Sequence, residues 1–200
     1  VSLIARPMPV ELAREAFALY MEYPGAMSVF CDGRTYRDTV AMERFARRNA
    51  RRGSTEARQP NDGRFTVVRD LTEWMSRHAH EVEKFCMFFD TAEQAQAALP
   101  RFRALAGAEV VQGSPDNIEL TAQGVDKGTA LLALADLLHI PRESTVAVGD
   151  SENDRAMLEK AGIAAVMANG MPHIQALADL VSANDCDHDG VAELFERLGL

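Results

Sequence analysis

The sequence predicts an α/β protein, with parallel strands alternating with helices in its last third and a compact α/β layer in its first 120 residues. Short apolar runs at 145–149, 163–167 and 180–182 are separated by segments of helical character, the spacing of parallel β-α units. The first 120 residues mix helical periodicity with short apolar runs broken by turn residues. A polar stretch near 121–126 lies between these regions, so the domains are expected at 1–121 and 122–200.

From the N-terminus, 11–21 reads as a helix, 27–31 as a strand and Asp32-Gly33 as a hairpin turn. Residues 39–52 read as a helix with Thr39 or Asp38 as its cap, and 53–63 as a loop by composition. A helix near 70–80, a strand at 84–89, a helix at 92–105 and strands near 109–111 and 117–121 follow. An Ala/Leu-rich helix spans 127–138 and ends before Pro141, its final turn keeping the apolar spacing of a packed face. The strand at 145–149 runs directly into polar 150–154, then into a helix at 155–161 that Gly162 stops. A strand at 163–167, a short helix at 172–177, a strand at 180–182 and a helix at 191–198 complete the chain.

Two hundred residues can bury a real core, and 47% hydrophobic with 26% charged residues is ordinary for a soluble globular protein. No apolar run approaches the roughly 18 residues needed to cross a bilayer, so no membrane partner is expected. A formal charge of -9 argues against nucleic acid, whose phosphates reward a basic surface. Cys31, Cys86 and Cys186 are scattered and form no C-x-x-C, which fits a reducing compartment, and the expected location is cytoplasmic.

The strongest chemical signal is Val148-Gly149-Asp150-Ser151-Glu152-Asn153-Asp154. Ligands of open α/β sheets gather beyond the carboxyl ends of strands, where Asp150 falls. Two carboxylates and an amide within five residues are hard oxygen ligands of the kind Mg²⁺ takes. A capping box of Ser151 with Asp154 accounts for part of the same motif, and both readings stand at this point. A second signal is Gly124-Val-Asp-Lys127-Gly128 at a helix start. There a lysine adds its charge to the positive end of the helix dipole, which suits a phosphate, although an exposed loop lysine is the simpler reading.

In order along the chain come Lys127-Gly128-Thr-Ala-Leu131, Gly149-Asp-Ser-Glu-Asn-Asp154 with Met157-Leu158, and Met167-Ala-Asn169. Ala178-Asp-Leu-Val-Ser182 and Asp189-Gly190-Val191 follow. This set closely resembles the Cof-type branch of the haloacid-dehalogenase-like superfamily over the last 80 residues. Arg6-Pro-Met-Pro9 followed by a helix, and Val29-Phe-Cys-Asp-Gly33, look more loosely like that family's inserted α/β cap. The resemblance implies a partial Rossmann-like core of parallel strands plus a cap domain. The implied activity is a Mg²⁺-dependent phosphatase working through an aspartyl-phosphate on a small phosphorylated metabolite, for example a sugar phosphate. It implies that Asp150 ligates Mg²⁺ and that Asp154 supports the metal from the inner or outer shell. Lys127 would hold the phosphoryl oxygens and the nucleophile, Asn153 would contact the phosphoryl group or a metal-bound water, and Asn169 would stand at the site's edge.

The family's D-x-D-G-T nucleophile motif does not occur in this sequence. Phe30-Cys31-Asp32-Gly33 imitates it, but Phe30 stands in the nucleophile's place and Asp32-Gly33 reads as a turn. Together with the opening Val1, this raises the expectation of a processed or truncated piece. It also leaves the 145–148 strand with an unpaired edge available for self-association. A phosphomutase of the same superfamily, or an inactive phosphate- and metal-binding remnant with a regulatory role, are the alternatives. Arg44, Arg47, Arg48, Arg51 and Arg52 read first as a solvated helix face and second as a guide for an anionic substrate. His78 and His80, two apart, should diverge; Asp187-His188-Asp189 reads as a polar loop; and Trp74, Phe85, Phe88, Phe89 and the methionines read as core.

Overall fold

The computed structural model describes residues 4–51 and 65–200. Arg52 and the loop expected at 53–63 lie outside the described residues. The chain divides into two compact units, Val1–Gln123 and Gly124–Leu200.

The first unit runs α1 (Val10–Met21), β1 (Gly25–Cys31), β2 (Arg34–Asp38), α2 (Thr39–Arg51), β3 (Thr66–Val68) and α3 (Leu71–His78). β4 (Val82–Phe89), α4 (Ala92–Arg103), β5 (Ala108–Val111) and β6 (Asn117–Ala122) complete it. Its six-stranded sheet has the order β3-β2-β1-β4-β6-β5. β1 and β2 form the expected hairpin, with Asp32 at φ 48° and Gly33 at φ 68°, the two left-handed residues a tight turn requires. Of the two candidate caps for α2, Asp38 is the one used: its Oδ1 accepts the Ala41 N–H at 2.7 Å. Asp70 caps α3 in the same way. β3, only three residues long and paired in parallel with β2, carries no periodicity that a sequence reading could detect.

Alternation along β4 sorts its side chains onto opposite faces of the sheet. Phe85 and Phe89 face α1 and α4, packing on Tyr20 and Phe102 at centroid distances of 5.7 and 6.5 Å. Phe88 faces the other way, edge-on to Phe45 of α2 at 5.7 Å. Phe85 and Phe89 are therefore core as expected, whereas Phe88 and Trp74 are only half-buried. Trp74 lies between Tyr36 and His78. Met8, Met27, Met75, Met87 and Met167 are buried, but Met21 is exposed.

The second unit runs α5 (Lys127–Leu137), β7 (Val146–Gly149), α6 (Arg155–Lys160), β8 (Ile163–Val166), α7 (Pro172–Gln175), β9 (Leu180–Val181) and α8 (Gly190–Leu198). The three strands are parallel in the order β7-β8-β9, so β7 is an edge among the described residues of this unit. Ala164 and Val166 of β8 pack with Leu158 and Ile174 on one face; Ala165 and Met167 pack with Leu194 on the other. Helices thus cover both faces, as a parallel sheet requires. The expected packed final turn of α5 is corrected: Leu137 and Leu138 are 48% and 55% exposed. α5 buries its small residues instead, Gly128 and Ala135, which let it approach α6 closely. No helix among the described residues is long and apolar enough to cross a membrane.

Candidate active site

The site is built where two parallel strands end side by side. Gly149 of β7 pairs with Val166 of β8, so Asp150 and the 167–170 loop leave the sheet together. Gly149 O accepts the Met167 N–H at 3.1 Å and Asp150 O accepts that of Met171 at 2.8 Å, tying the two loops together. This is the carboxyl edge at which ligands collect in open α/β sheets.

Asp154 organises the turn. It ends a short 3-10 turn at Glu152–Asp154, and its Oδ2 accepts the backbone N–H of Asp150 at 3.0 Å and of Ser151 at 3.3 Å. Its Oδ1 accepts from Lys127 Nζ at 2.5 Å, across 27 residues of sequence. Lys127 is the first residue of α5, whose N-cap Asp126 accepts the Thr129 N–H at 2.6 Å. The structure therefore brings Lys127, Asp150 and Asp154 together at one end of the unit. Asp154 is buried, while Asp150 and Lys127 are exposed. Burial pushes the Asp154 carboxyl up, but the Lys127 hydrogen bond and the two backbone N–H groups outweigh it and hold the group below its ordinary value. Asp150, which solvent still reaches, moves the other way, raised by partial loss of its hydration and by the nearby Asp154 charge, with Lys127 opposing. Asp154 is thus paired with Lys127, while the ionised form of Asp150 is disfavoured where it stands.

Asn153 Oδ1 accepts from Ser151 Oγ at 2.9 Å, so its amide is held within the turn. Asn169, exposed, turns its side chain toward Cys186: Oδ1 accepts the Cys186 N–H at 3.1 Å. It fixes the loop beside Asp150 against the 185–186 segment. The sequence reading missed three supports of this arrangement. Lys160 donates to both Asp126 oxygens at 3.1 and 3.0 Å, anchoring the start of α5 to the end of α6. Gln175 Nε2 donates to Met167 O and Ala168 O at 3.2 and 2.9 Å, and so holds the loop. A Cβ on Gly170 would lie 2.7 Å from Val166 Cγ1 and 2.9 Å from Met167 O, so the loop beside Asp150 packs too tightly for a side chain there. A lone Lys or Gln in a helix gives no sequence signal for such a contact.

Among the described residues no group of three His, Cys, Asp or Glu is gathered to hold a metal. Mg²⁺ does not require one, since it keeps several waters and is held by one or two carboxylates plus phosphate oxygens. Asp150, exposed and crowded by a second carboxylate, fits that role. Asp154 engages Oδ1 with Lys127 and Oδ2 with two backbone N–H groups, an arrangement suited to supporting the metal site from behind Asp150.

The other sequence candidates lie elsewhere. Asp32 is exposed at the tip of the β1–β2 turn. The Cys31 thiol is pushed up to about 12 by burial and by Glu81, which leaves it a poor nucleophile. None of the three cysteines forms a disulfide. The expected divergence of His78 and His80 is corrected: α3 ends at His78 and a 3-10 turn at Ala79–Glu81 bends the chain, so both rings reach Glu81, at 3.0 and 3.3 Å. His188 pairs with Asp185 at 2.5 Å within a surface loop.

A model of the haloacid dehalogenase-like hydrolase family matches residues 2–195. Phosphatase YwpJ of Bacillus subtilis is 39% identical over 106 residues, 53% of this chain and 37% of that protein. The 5-amino-6-(5-phospho-D-ribitylamino)uracil phosphatase YcsE of the same organism is 32% identical over 118 residues, 59% of this chain and 47% of its own length. The matched region thus spans half or less of these curated relatives. Among solved structures, a haloacid dehalogenase-like hydrolase from B. subtilis superposes with a TM-score of 0.79 at 25% identity, covering 96% of this chain and 72% of that one.

Proposed function

Because the chain belongs to the haloacid dehalogenase-like hydrolase family, in its Cof-type branch, we propose that it serves a Mg²⁺-dependent phosphatase of a small phosphorylated metabolite such as a sugar phosphate. The supporting observation is the Lys127–Asp154 ion pair at 2.5 Å beside an exposed Asp150 at the carboxyl edge of a parallel sheet. The phosphorylated ribitylaminouracil named for one relative is a substrate of the same general class. We assign the N-terminal unit the role of the family's specificity-setting cap, and the protein a cytoplasmic location.

Lys127 donates from its ammonium to a phosphoryl oxygen, offsetting charge as it develops. Asp150 offers its carboxylate to the cation, and Mg²⁺ when bound draws charge from the phosphoryl oxygens. Asp154 is a positioning residue: through Oδ1 it aims Lys127, and through Oδ2 it holds the turn that presents Asp150. Asn153 has a free amide nitrogen side from which to meet a phosphoryl oxygen or a water, its carbonyl being held by Ser151. Asn169 braces the site's edge. On the aspartyl-phosphate route an Asp carboxylate oxygen bonds to phosphorus as the ester P–O bond breaks and the leaving oxygen takes a proton. Water then attacks phosphorus, and the carboxylate is released. The motif for that nucleophile does not occur in this sequence, so the reaction is proposed for a site to which the nucleophile is added.

A second reading is a remnant that binds phosphate and metal without turnover. One assay separates them, run on the chain with a nucleophile-bearing D-x-D-G-T segment supplied: phosphate release from p-nitrophenyl phosphate with and without Mg²⁺. The phosphatase reading expects metal-dependent release that falls by about 10²-fold or more in Asp150→Ala and in Lys127→Ala, the scale of losing one electrostatic stabiliser. Turnover that is indifferent to both substitutions would sink it. Phosphate and Mg²⁺ binding with no turnover identifies the remnant.

A further inference from the structure

We propose that the N-terminal unit carries an oxyanion-binding pocket of its own, which takes a phosphate or carboxylate group of a small molecule on the arginine stripe of α2. Arg44, Arg47, Arg48 and Arg51 recur at i, i+3, i+4 and i+7, the spacing that lines one helix face. That face borders a cavity of about 290 Å³ whose opposite wall includes Asp90 and Asp116. Its volume lies at the small end of ligand pockets, suited to one charged group and a short apolar body.

The lining charges do not cancel. Four guanidinium groups meet two carboxylates. Arg48 is fully engaged: its Nε and Nη2 donate to Asp116 at 3.1 and 3.3 Å, and its guanidinium lies 4.0 Å over the Phe88 ring. It is a fixed post. Arg47 reaches only as far as exposed Glu43, at 3.5 Å, and Arg51 makes no ion pair among the described residues. Arg44 is the telling residue. Its buried Nη1 has no hydrogen-bond partner among the described residues and meets Asp90 Oδ2 only at ion-pair distance, 3.9 Å. Buried donors are almost always satisfied, because leaving one unmade costs its desolvation. A cavity walled by four guanidinium groups, one of them with a buried nitrogen held by no hydrogen bond, sets this face apart from a plain solvated one. An oxyanion in the cavity adds acceptors for the guanidinium groups that border it, and the planar fork of arginine matches its geometry. The surplus is local, since the whole chain carries a net charge of -9.

Every lining residue comes from the N-terminal unit, so the inference stands apart from the phosphatase reading, whose failure appears as absent turnover. The test is isothermal titration of the full chain at low ionic strength with inorganic phosphate and, separately, with succinate. The two arms distinguish a phosphate from a carboxylate source. Saturable binding of at least one ion is expected to persist in Lys127→Ala/Asp150→Asn and to weaken tenfold or more in Arg44→Gln/Arg51→Gln. The single Arg51→Gln change, at an exposed side chain, is expected to keep the wild-type melting profile and weaken binding severalfold, which decides the case if the double variant misfolds. Absence of saturable binding to either ion, binding untouched by the arginine changes, or its complete loss in Lys127→Ala/Asp150→Asn would overturn the proposal.

Discussion

A Cβ at Gly149 would lie 2.5 Å from Asp154 Cβ and 2.8 Å from its carboxyl carbon, so this position has no room for a side chain. Gly149→Ala should cost about 1–3 kcal/mol, the usual scale of overpacking, and displace the carboxylate that steers Lys127. Thermal melting and Mg²⁺ titration of the variant should both register the change. Asp126 carries a separate signature. Burial raises its carboxyl, but the Thr129 N–H and Lys160 outweigh this and hold it below its ordinary value. The ionised form therefore stabilises the fold at pH above the range of a free Asp, and that contribution is lost as pH falls below about 4, through the lowered value. Stability measured by urea titration between pH 3 and 6 should decline less steeply toward acid in Asp126→Asn than in the parent. At this scale the Gly149-Asp150 turn is readable along the chain. The division of labour between Asp150 and Asp154 is not, because it depends on an ion pair closed from 27 residues away.

At the scale of elements, β4 is the centre of the first unit, paired on both sides by β1 and β6 and covered by α1 and α4 through Phe85, Phe89 and Phe102. Phe85, fully buried, should cost about 3–5 kcal/mol on replacement by Ala, the range for deleting a core aromatic. Hydrogen exchange should report the loss across β1, β4 and β6. If those amides kept their protection, the assignment of this core would be wrong. Helices and strands are legible wherever local signals agree: Asp38 and Asp70 at helix starts, Asp32-Gly33 between paired strands, Gly162 after α6. They fail where the signal is tertiary. Leu137 and Leu138 have the spacing of a packed face, yet α5 docks on its small residues because a Cβ on Gly128 would meet Ala156 O at 2.1 Å. Contact through glycine leaves no hydrophobic pattern to read.

For the whole molecule, two units each with its own core imply that a ligand of one need not stabilise the other. Mg²⁺ with inorganic phosphate, each at about 100 times its dissociation constant, should stabilise the unit that binds it by about 3 kcal/mol per ligand. Calorimetry should show the shift in the transition of the second unit, and Asp150→Ala should abolish it. A shift that survives this change would remove Asp150 from the site. The α/β class and the order of elements other than β3 could be read along the chain, and the family resemblance picked out Lys127, Asp150 and Asp154. The elements are written in short windows through periodicity, caps and turn chemistry, and the family in the motifs it resembles. Three-dimensional packing alone assigned the partners: Asp154 to Lys127 and the backbone, Asn169 to Cys186, and the arginine stripe of α2 to a cavity faced by Asp90 and Asp116. Such pairings join residues tens of positions apart, and their energies depend on burial and distance, which no local stretch of sequence records.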